Sequence, residues 1–454
     1  MDKVKPRTLS GFMELLPRQQ VYFDDMSRRL RDSFSLYGFM PLDTPLMEAA
    51  EILLAKGGGE TDKQIYTLRK GDVDLALRYE LTASLAKYVA MNYGRLTFPF
   101  RRYEIGKVYR GERPQRGRFR EFYQADIDII GDGALDVLNE AEIPAVIYRC
   151  FMSLGLERFV IHINNRKALS GFFEIIGVGS AATDVMRIVD KLGKIGADKM
   201  SETLISDVGL SKAQTDELIG FISRDGDPFE VLDKYRGKSD LFDAGADELA
   251  AVRRHVAGLG VPDTHFTVDL SIARGLDYYT GTVYETMMTD HPEVGSICSG
   301  GRYDNLAEFY IDKKMPGVGI SIGLSRLFYI LQEQNLLNDS ILTAPADVLI
   351  IPMTGDFSHA VALAASMREA GLRAQIYGED KKLKVKISYA DKLGIPFVAF
   401  LGEDEINSGS ITVKDLSSGD QTTAAPGILI AGLTEKIKSL RGGKPIKEQQ
   451  INAD

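Results

Sequence analysis

The sequence predicts an α+β chain: an antiparallel sheet flanked by helices, interrupted by a helical insertion and followed by a separate small α/β domain. Three observations predict it. Short strand-like runs alternate with turn residues from about residue 75 to 131 and again from about 266, the pattern of antiparallel strands with helices on one side. Between 169 and 260 the character changes to short amphipathic stretches rich in Lys, Asp and Ala, with no alternation long enough for a strand. Beyond residue 345, apolar and amphipathic runs take turns, as strand and helix do in a small α/β unit.

Each element follows from its residues. Over 17–37, Val21, Phe23, Met26, Leu30 and Phe34 recur at helical spacing, and Gly38 stops the helix. Pro41 and Pro45 then forbid a central helix and suit an extended edge segment. LALRYE, RRYEIGKVYR and FYQADIDIIG read as strands, with one helix near 84–91. After the insertion, FTVDLSIARGLDYYTGTVYETMM and GVGISIGLSRLFYILQEQ resume the sheet, the last part as a helix. NLLNDSILTAP, 335–345, reads as a linker. ADVLIIPM, a helix through Met367, LRAQIYG, a lysine-rich helix, PFVAFLG and SITVKDL make up the second unit. The expected division is therefore a core of 1–168 and 261–334, an insertion of 169–260, a linker of 335–345, an α/β domain of 346–436 and a loose tail of 437–454.

Composition narrows the classes. A chain of 454 residues has room for two to four domains, and 44% apolar with 26% charged residues is ordinary for a globular protein. The 55 Lys+Arg against 64 Asp+Glu leave a net charge of -9, which argues against non-specific coating of nucleic acid but not against a local basic surface. Two cysteines, Cys150 and Cys298, and five scattered histidines are too few for a Cys/His metal cage and fit a reducing compartment. The N-terminal residues contain no signal-like apolar run, and no stretch approaches the roughly 18 apolar residues of a spanning helix. The expectation is a cytoplasmic protein without a membrane partner.

Four clusters could carry chemistry. RRYEIGKVYRGERPQRGRFR, 101–120, holds eight cations against Glu104 and Glu112, a surplus of +6. Guanidinium forks on a strand-loop-strand suit phosphate, because each can bind two oxygens at once. In the following EFYQADIDII, the two-residue period puts Phe122, Gln124, Asp126 and Asp128 on one face. Acids and an amide in so apolar a strand are costly if buried alone. Either they pair with the neighbouring arginines or they read a substrate bearing cationic or donor groups, and periodicity leaves both open. ARGLDYYTGTVYE sets Arg274 beside Tyr278 and Tyr279, whose phenols suit a flat polar ligand. CSGGRYDNL offers a double glycine where backbone can approach a ligand, and GVGISIGLSRL places Arg326 at the start of a helix.

Better-known signatures do not fit. GVGISIG has Ile322 where a dinucleotide fingerprint needs its third glycine, and no GxxxxGK[ST] occurs. KMSET resembles the start of the class I KMSKS loop, but it lacks the second lysine, and HINN at His162 is not the HIGH partner.

Taken together, the clusters resemble the class II aminoacyl-tRNA synthetases, and within them the histidyl-tRNA synthetase family. The long first helix with Pro45 looks like motif 1; 101–131, with its ERPQ-x-GR-x-R loop, is similar to motif 2; GLSRL resembles motif 3. RGLDYYTG and SGGRYDNL resemble the two histidine-specific segments, and ADVLII, YADKLG and TVKDL look like the anticodon-binding domain. The resemblance implies a class II catalytic core, an insertion leaning on the acceptor stem, a C-terminal α/β domain reading the anticodon, and a homodimer. It implies ATP-dependent ligation of L-histidine to its tRNA through histidyl-adenylate, with Mg²⁺ accompanying ATP and no protein cage for the metal.

Carried onto this sequence, Arg110 would bind the α-phosphate of ATP and Arg326 the γ-phosphate, with Phe122 stacking on adenine and Arg118 and Glu112 completing the ATP site. Glu80, Thr82 and Gln124 would hold the amino group of histidine, and Asp128 and Tyr279 its two imidazole nitrogens. Arg274 would contact the carboxylate and the α-phosphate, while Tyr278 and Tyr303 line the pocket. Arg113 and Gln115 match the form used near the extra 5′ guanosine of histidine tRNA. Asp128 stands where many relatives carry Glu, and Ser299 where many carry Ala. An inactive paralogue acting as a regulatory subunit would lack the anticodon domain or the arginines, and a proline or threonine synthetase would lack RGLDYYTG and SGGRYDNL; this chain keeps all of them.

Overall fold

A computed structural model describes residues 3–55, 62–114, 117–190, 196–223, 226–273, 279–305, 307–337 and 341–441. The chain falls into two compact units, Met1–Glu14 with Asp24–Leu336, and Leu15–Phe23 with Leu337–Asp454.

In the first unit, the part of the helix Pro17–Leu36 from Asp24 onward leads into β1 (Met40–Pro41). A small antiparallel sheet follows, built from β2 (Met47–Ala49), β3 (Thr67–Lys70) and β4 (Val73–Leu77) in the order β2-β4-β3. The main sheet adds β5 (Phe100–Tyr109), β6 (Glu121–Ile130), β7 (Phe159–Asn165), β8 (Phe266–Val268), β9 (Thr282–Met288), β10 (Ser296–Tyr303) and β11 (Gly317–Ile322). Its order is β1-β5-β6-β11-β10-β9-β7-β8. All inner pairings are antiparallel, but β1 runs parallel to β5 and β8 parallel to β7. The antiparallel sheet the sequence suggested thus carries a parallel neighbour at each edge; parallel neighbours need a long crossover, and the helical insertion supplies one between β7 and β8.

Register positions the site. Asp128 pairs with Arg102 on β5 and with Gly319 on β11; Gly319 in turn pairs with Gly301 on β10. The next row runs Glu104, Asp126, Ser321, Ser299 and Glu285. By the two-residue period these side chains share one face. The opposite face carries Ala125, Ile127 and Ile129 of β6 and Val318, Ile320 and Ile322 of β11, all buried, and the helices Leu138–Ser153 and Leu324–Glu333 pack on these two strands.

Among the described residues of 169–260 there is no strand. The expected border at 169 cuts a helix, Arg166–Ile175, whose start is fixed by the Asn165 side chain accepting from the Lys167 N–H. The helix Asp240–Gly258, capped by Ser239, packs on Arg166–Ile175, on Leu138–Ser153 and on β7, so both ends of the insertion are seated on the core.

The second unit contains β12 (Val348–Pro352), β13 (Ala374–Ile376), β14 (Phe397–Leu401), β15 (Ile411–Asp415) and β16 (Gln421–Ala424), in the order β13-β12-β14-β15-β16. The first three are parallel, and β15 and β16 join antiparallel. Alternate residues of β12 enter two separate apolar clusters, Val348 and Ile350 in one, Leu349 and Ile351 in the other. Burial on both faces is why VLII reads as a continuous apolar run. The last helix, Pro426–Arg441, extends past the expected tail boundary at 437: Ile437 is buried in the same cluster as Ile430 and Leu433. Residues 437–441 thus belong to the domain, and 442–454 lie outside the described residues. No helix among the described residues is long and apolar enough to cross a membrane.

Candidate active site

The polar face of the main sheet opens into a cavity of about 410 Å³, a size suited to a small-molecule ligand. Glu80, Thr82, Arg110, Glu112, Arg118 and Phe122 line it, as do Gln124, Asp128, Tyr279, Tyr303 and Arg326. Strand alternation on β6 and β10, the turn into the helix Thr82–Asn92 and the start of the helix Leu324–Glu333 bring them together. Arg113 is exposed and does not line the cavity. Arg274, Tyr278 and Gln115 lie outside the described residues.

One set of these side chains is cationic and aromatic. The Arg110 Nε donates to the Tyr79 carbonyl at 3.0 Å, and its guanidinium lies 5.2 Å from the centre of the Phe122 ring, within cation–π range. Arg118 approaches Glu112 at 3.9 Å and is half-exposed. Arg326 donates to the Val294 carbonyl. Fixed guanidinium groups beside a flat ring can take phosphate and a planar base respectively.

Another set is acidic, phenolic and buried. The Tyr303 hydroxyl donates to Asp128 Oδ1 at 2.7 Å, and Arg102 Nη2 lies 2.6 Å from Asp128 Oδ2. Gln124 Nε2 donates to Ser321 Oγ at 2.6 Å. The glycines of GVGISIG make room for these groups: a Cβ at Gly319 would stand 2.3 Å from Asp128 Oδ1, and one at Gly317 would stand 2.3 Å from the Tyr303 ring. The alternating glycines are therefore the floor under two side chains, not a phosphate loop.

Burial pushes the Asp128 carboxyl up to about 6, while Arg102 and the Tyr303 hydroxyl pull it down. Burial pushes Asp126 up to about 8 against the same arginine and a hydrogen bond with Ser321. Burial thus favours the protonated form more strongly in Asp126 than in Asp128. Because the folded value of Asp126 lies above its unfolded one, the native state holds an extra proton between about pH 4 and about 8. Its contribution to stability is lost as pH rises through that window. The expected result is that Asp126→Asn, which cannot ionise, loses less melting temperature than the wild type between about pH 5 and about pH 9; equal slopes in calorimetry would refute the protonated state.

The run of cations over 101–120 does not form one phosphate surface. Arg101 pairs with Glu142, Lys107 with Glu121 at 2.8 Å, and Arg120 donates to the Glu112 carbonyl at 3.1 Å, while Arg102 is wholly buried. Strand alternation sends successive cations to different neighbours, leaving Arg110 and Arg118 as the members of the run that reach the cavity among the described residues. Of the options left open for the acids, pairing with a neighbouring arginine holds for Asp128, which also lines the cavity. Sequence reasoning missed Glu285 and Ser321 as cavity-lining groups; their two-residue spacing from Val283 and Gly319 was the available signal.

A family model described as histidyl-tRNA synthetase matches residues 11–327, and one described as anticodon binding domain matches 347–436. The chain belongs to the histidyl-tRNA synthetase family. Among its relatives in that family, a histidine--tRNA ligase of Clostridium tetani is 49% identical over 446 residues, covering 97% of this chain and 99% of the relative. One from Finegoldia magna is 44% identical, covering 92% and 97%. The crystal structure of histidyl-tRNA synthetase from Nostoc sp. PCC 7120 superposes with a TM-score of 0.87 at 39% identity, covering 96% of this chain and all of that one. Histidyl-tRNA synthetase membership accounts for the fold, a large antiparallel-rich sheet with helices and a C-terminal domain with its own sheet.

Proposed function

We propose that this chain attaches L-histidine to its tRNA in two ATP-dependent steps. In the first, a carboxylate oxygen of histidine attacks the α-phosphorus of ATP, forming histidyl-adenylate as the bond to pyrophosphate breaks. In the second, a hydroxyl of the terminal tRNA ribose attacks the adenylate carbonyl carbon, and AMP leaves. The observation that carries this reading is one cavity on one sheet face, lined both by arginines beside an aromatic ring and by a buried carboxylate–phenol group, in a member of this family.

The substrate's own carboxylate is the nucleophile, so no Ser, Cys or His of the protein has to form a covalent bond. In-line placement and cations at the phosphates suffice as charge moves onto pyrophosphate. Arg110 holds the α-phosphate and Arg326 the γ-phosphate, with Phe122 against adenine and Arg118 and Glu112 beside the phosphates. Glu80, Thr82 and Gln124 take the amino group of histidine. Asp128 and Tyr279 address the imidazole nitrogens, and Tyr303 closes the pocket with Tyr278. Arg274 bridges the carboxylate and the α-phosphate. An amino acid without ring nitrogens would leave the buried acid and phenol unpaired, which is how such a site rejects it.

Mg²⁺ would accompany the ATP phosphates and neutralise part of their charge. Among the described residues no group of three or more acids, histidines or cysteines is arranged to hold a metal alone, whereas Glu112 and Glu285 line the cavity and offer the hard oxygens that Mg²⁺ takes beside phosphate and water. In this reading 1–168 and 261–334 carry the catalysis, 169–260 leans on the acceptor stem, Arg113 and Gln115 approach the 5′ end of the tRNA, and 346–436 reads the anticodon. The protein works as a cytoplasmic homodimer, the long first helix and Pro45 serving as the dimer element.

Purified protein with Mg²⁺ should exchange labelled pyrophosphate into ATP only when histidine is present. A folded protein that fails to do so overturns the catalytic reading.

A further inference from the structure

We propose that Arg102 is a positioning residue for histidine, acting through Asp128: from beneath the pocket it keeps the Asp128 carboxylate ionised and aimed at the imidazole. The proposal rests on the functional reading above.

Arg102 and Asp128 are direct cross-strand partners, and both side chains are buried, at 0% and 3% exposure. Arg102 Nη2 meets Asp128 Oδ2 at 2.6 Å, while Nη1 lies 3.7 Å from Glu104 Oε2. Glu104 already has its own partners. Arg78 Nη1 donates to Glu104 Oε1 at 2.7 Å, and the Thr44 backbone N–H and hydroxyl each reach the same oxygen at 3.0 Å. The charge of Arg102 is therefore directed chiefly at Asp128. Asp128 Oδ1 is held in turn by the Tyr303 hydroxyl, so one carboxylate oxygen is hydrogen-bonded while the other lies against the Arg102 guanidinium.

Stability alone gives little reason for such a pair, because an apolar replacement of similar volume is often as favourable. A recognising carboxylate gives a good one. Buried without a counter-ion, Asp128 would take up a proton more readily, and as a neutral acid it would accept from an imidazole N–H only weakly. The groups facing it agree with this. On β5 they are Arg102 and Glu104, on β6 Asp126 and on β10 Tyr303, with Tyr279 beside Tyr303; β11 presents the backbone of Gly319, and Ala86 of the helix Thr82–Asn92 packs against Tyr303. Among the described residues facing Asp128, Arg102 is the one cation.

The test compares wild type, Arg102→Met and Arg102→Lys by calorimetric binding of histidine and of ATP, alongside pyrophosphate exchange. Arg102→Met should weaken histidine binding on the order of 10- to 100-fold near neutral pH, leave ATP affinity unchanged, and recover toward wild type as pH rises to about 9 and Asp128 ionises unaided. Arg102→Lys, which restores a point charge at a single-oxygen contact, should stay within about fivefold of wild type. Unchanged histidine affinity in folded Arg102→Met overturns the role, as does a loss shared equally with ATP or a loss that pH does not relieve. If Arg102→Met does not fold, Arg102→Lys decides: a loss as large as that expected for Met, with no relief at high pH, overturns it. A wild type that neither binds histidine nor exchanges pyrophosphate would instead reject the functional reading itself.

Discussion

Replacing Arg110 by alanine should lower the rate of histidine-dependent pyrophosphate exchange on the order of 100- to 1000-fold, the usual effect of removing a fixed donor from the place where negative charge develops. The side chain is already oriented before any substrate arrives. Its Nε is committed to the Tyr79 carbonyl and its plane is supported by Phe122, so the remaining donors of the fork are the two terminal nitrogens. A guanidinium held in this way needs little reorganisation when charge appears, and a flexible lysine in its place should restore only part of the rate. Rapid-mixing measurement of adenylate formation would check it. Histidine affinity measured without ATP should be untouched, since Arg110 is assigned to the phosphates in the proposed function. Exchange within about threefold of wild type would remove Arg110 from the reaction, because a loss that small is less than a single fixed donor provides.

The second large effect is expected at Gly319. An alanine methyl there would lie 2.3 Å from Asp128 Oδ1 and 2.4 Å from the Ile127 carbonyl oxygen, both far inside van der Waals contact. The carbonyl belongs to the sheet and cannot withdraw, so the carboxylate must move. Gly319→Ala should therefore cost about 1–3 kcal/mol of stability and weaken histidine binding on the order of tenfold or more as Asp128 loses its aim. ATP binding should survive, since no residue of the proposed ATP set touches that methyl position. Thermal melting and calorimetry on the same preparation would separate the two effects. A stable variant with normal histidine affinity would show that the floor of the pocket is not what positions Asp128.

How much of this was legible in the residues themselves depended on whether the signal was local. The two-residue period of FYQADIDII was enough to put Phe122, Gln124 and Asp128 on one face, and the structure places all three in the cavity. The partner of Asp128 was not legible. Arg102 meets it only through the β5–β6 register, and that register is set by how the intervening loop folds back, which periodicity within either strand does not report. For the same reason a run of eight cations looked like a single surface, although alternation and pairing distribute it among several neighbours. The parallel edge strands were hidden because strand direction depends on long-range connections rather than composition. The tail boundary is different: Ile430, Leu433 and Ile437 keep helical spacing, so the signal was present and the lysines and glycines just beyond it masked it.

The carboxylate proposed to read the imidazole, locked to a buried cation, also restrains how a lineage can drift toward another substrate. Exchange of Asp128 for a neutral residue strands the charge of Arg102 in the core, and exchange of Arg102 strands the carboxylate. Either single step leaves a buried ion unpaired, a loss of about 3–5 kcal/mol in a protein whose whole margin is about 5–15 kcal/mol. Only a simultaneous change of both avoids that valley. Descendants carrying this pair are thus kept on histidine by the requirement to fold as well as by the requirement to charge the correct tRNA.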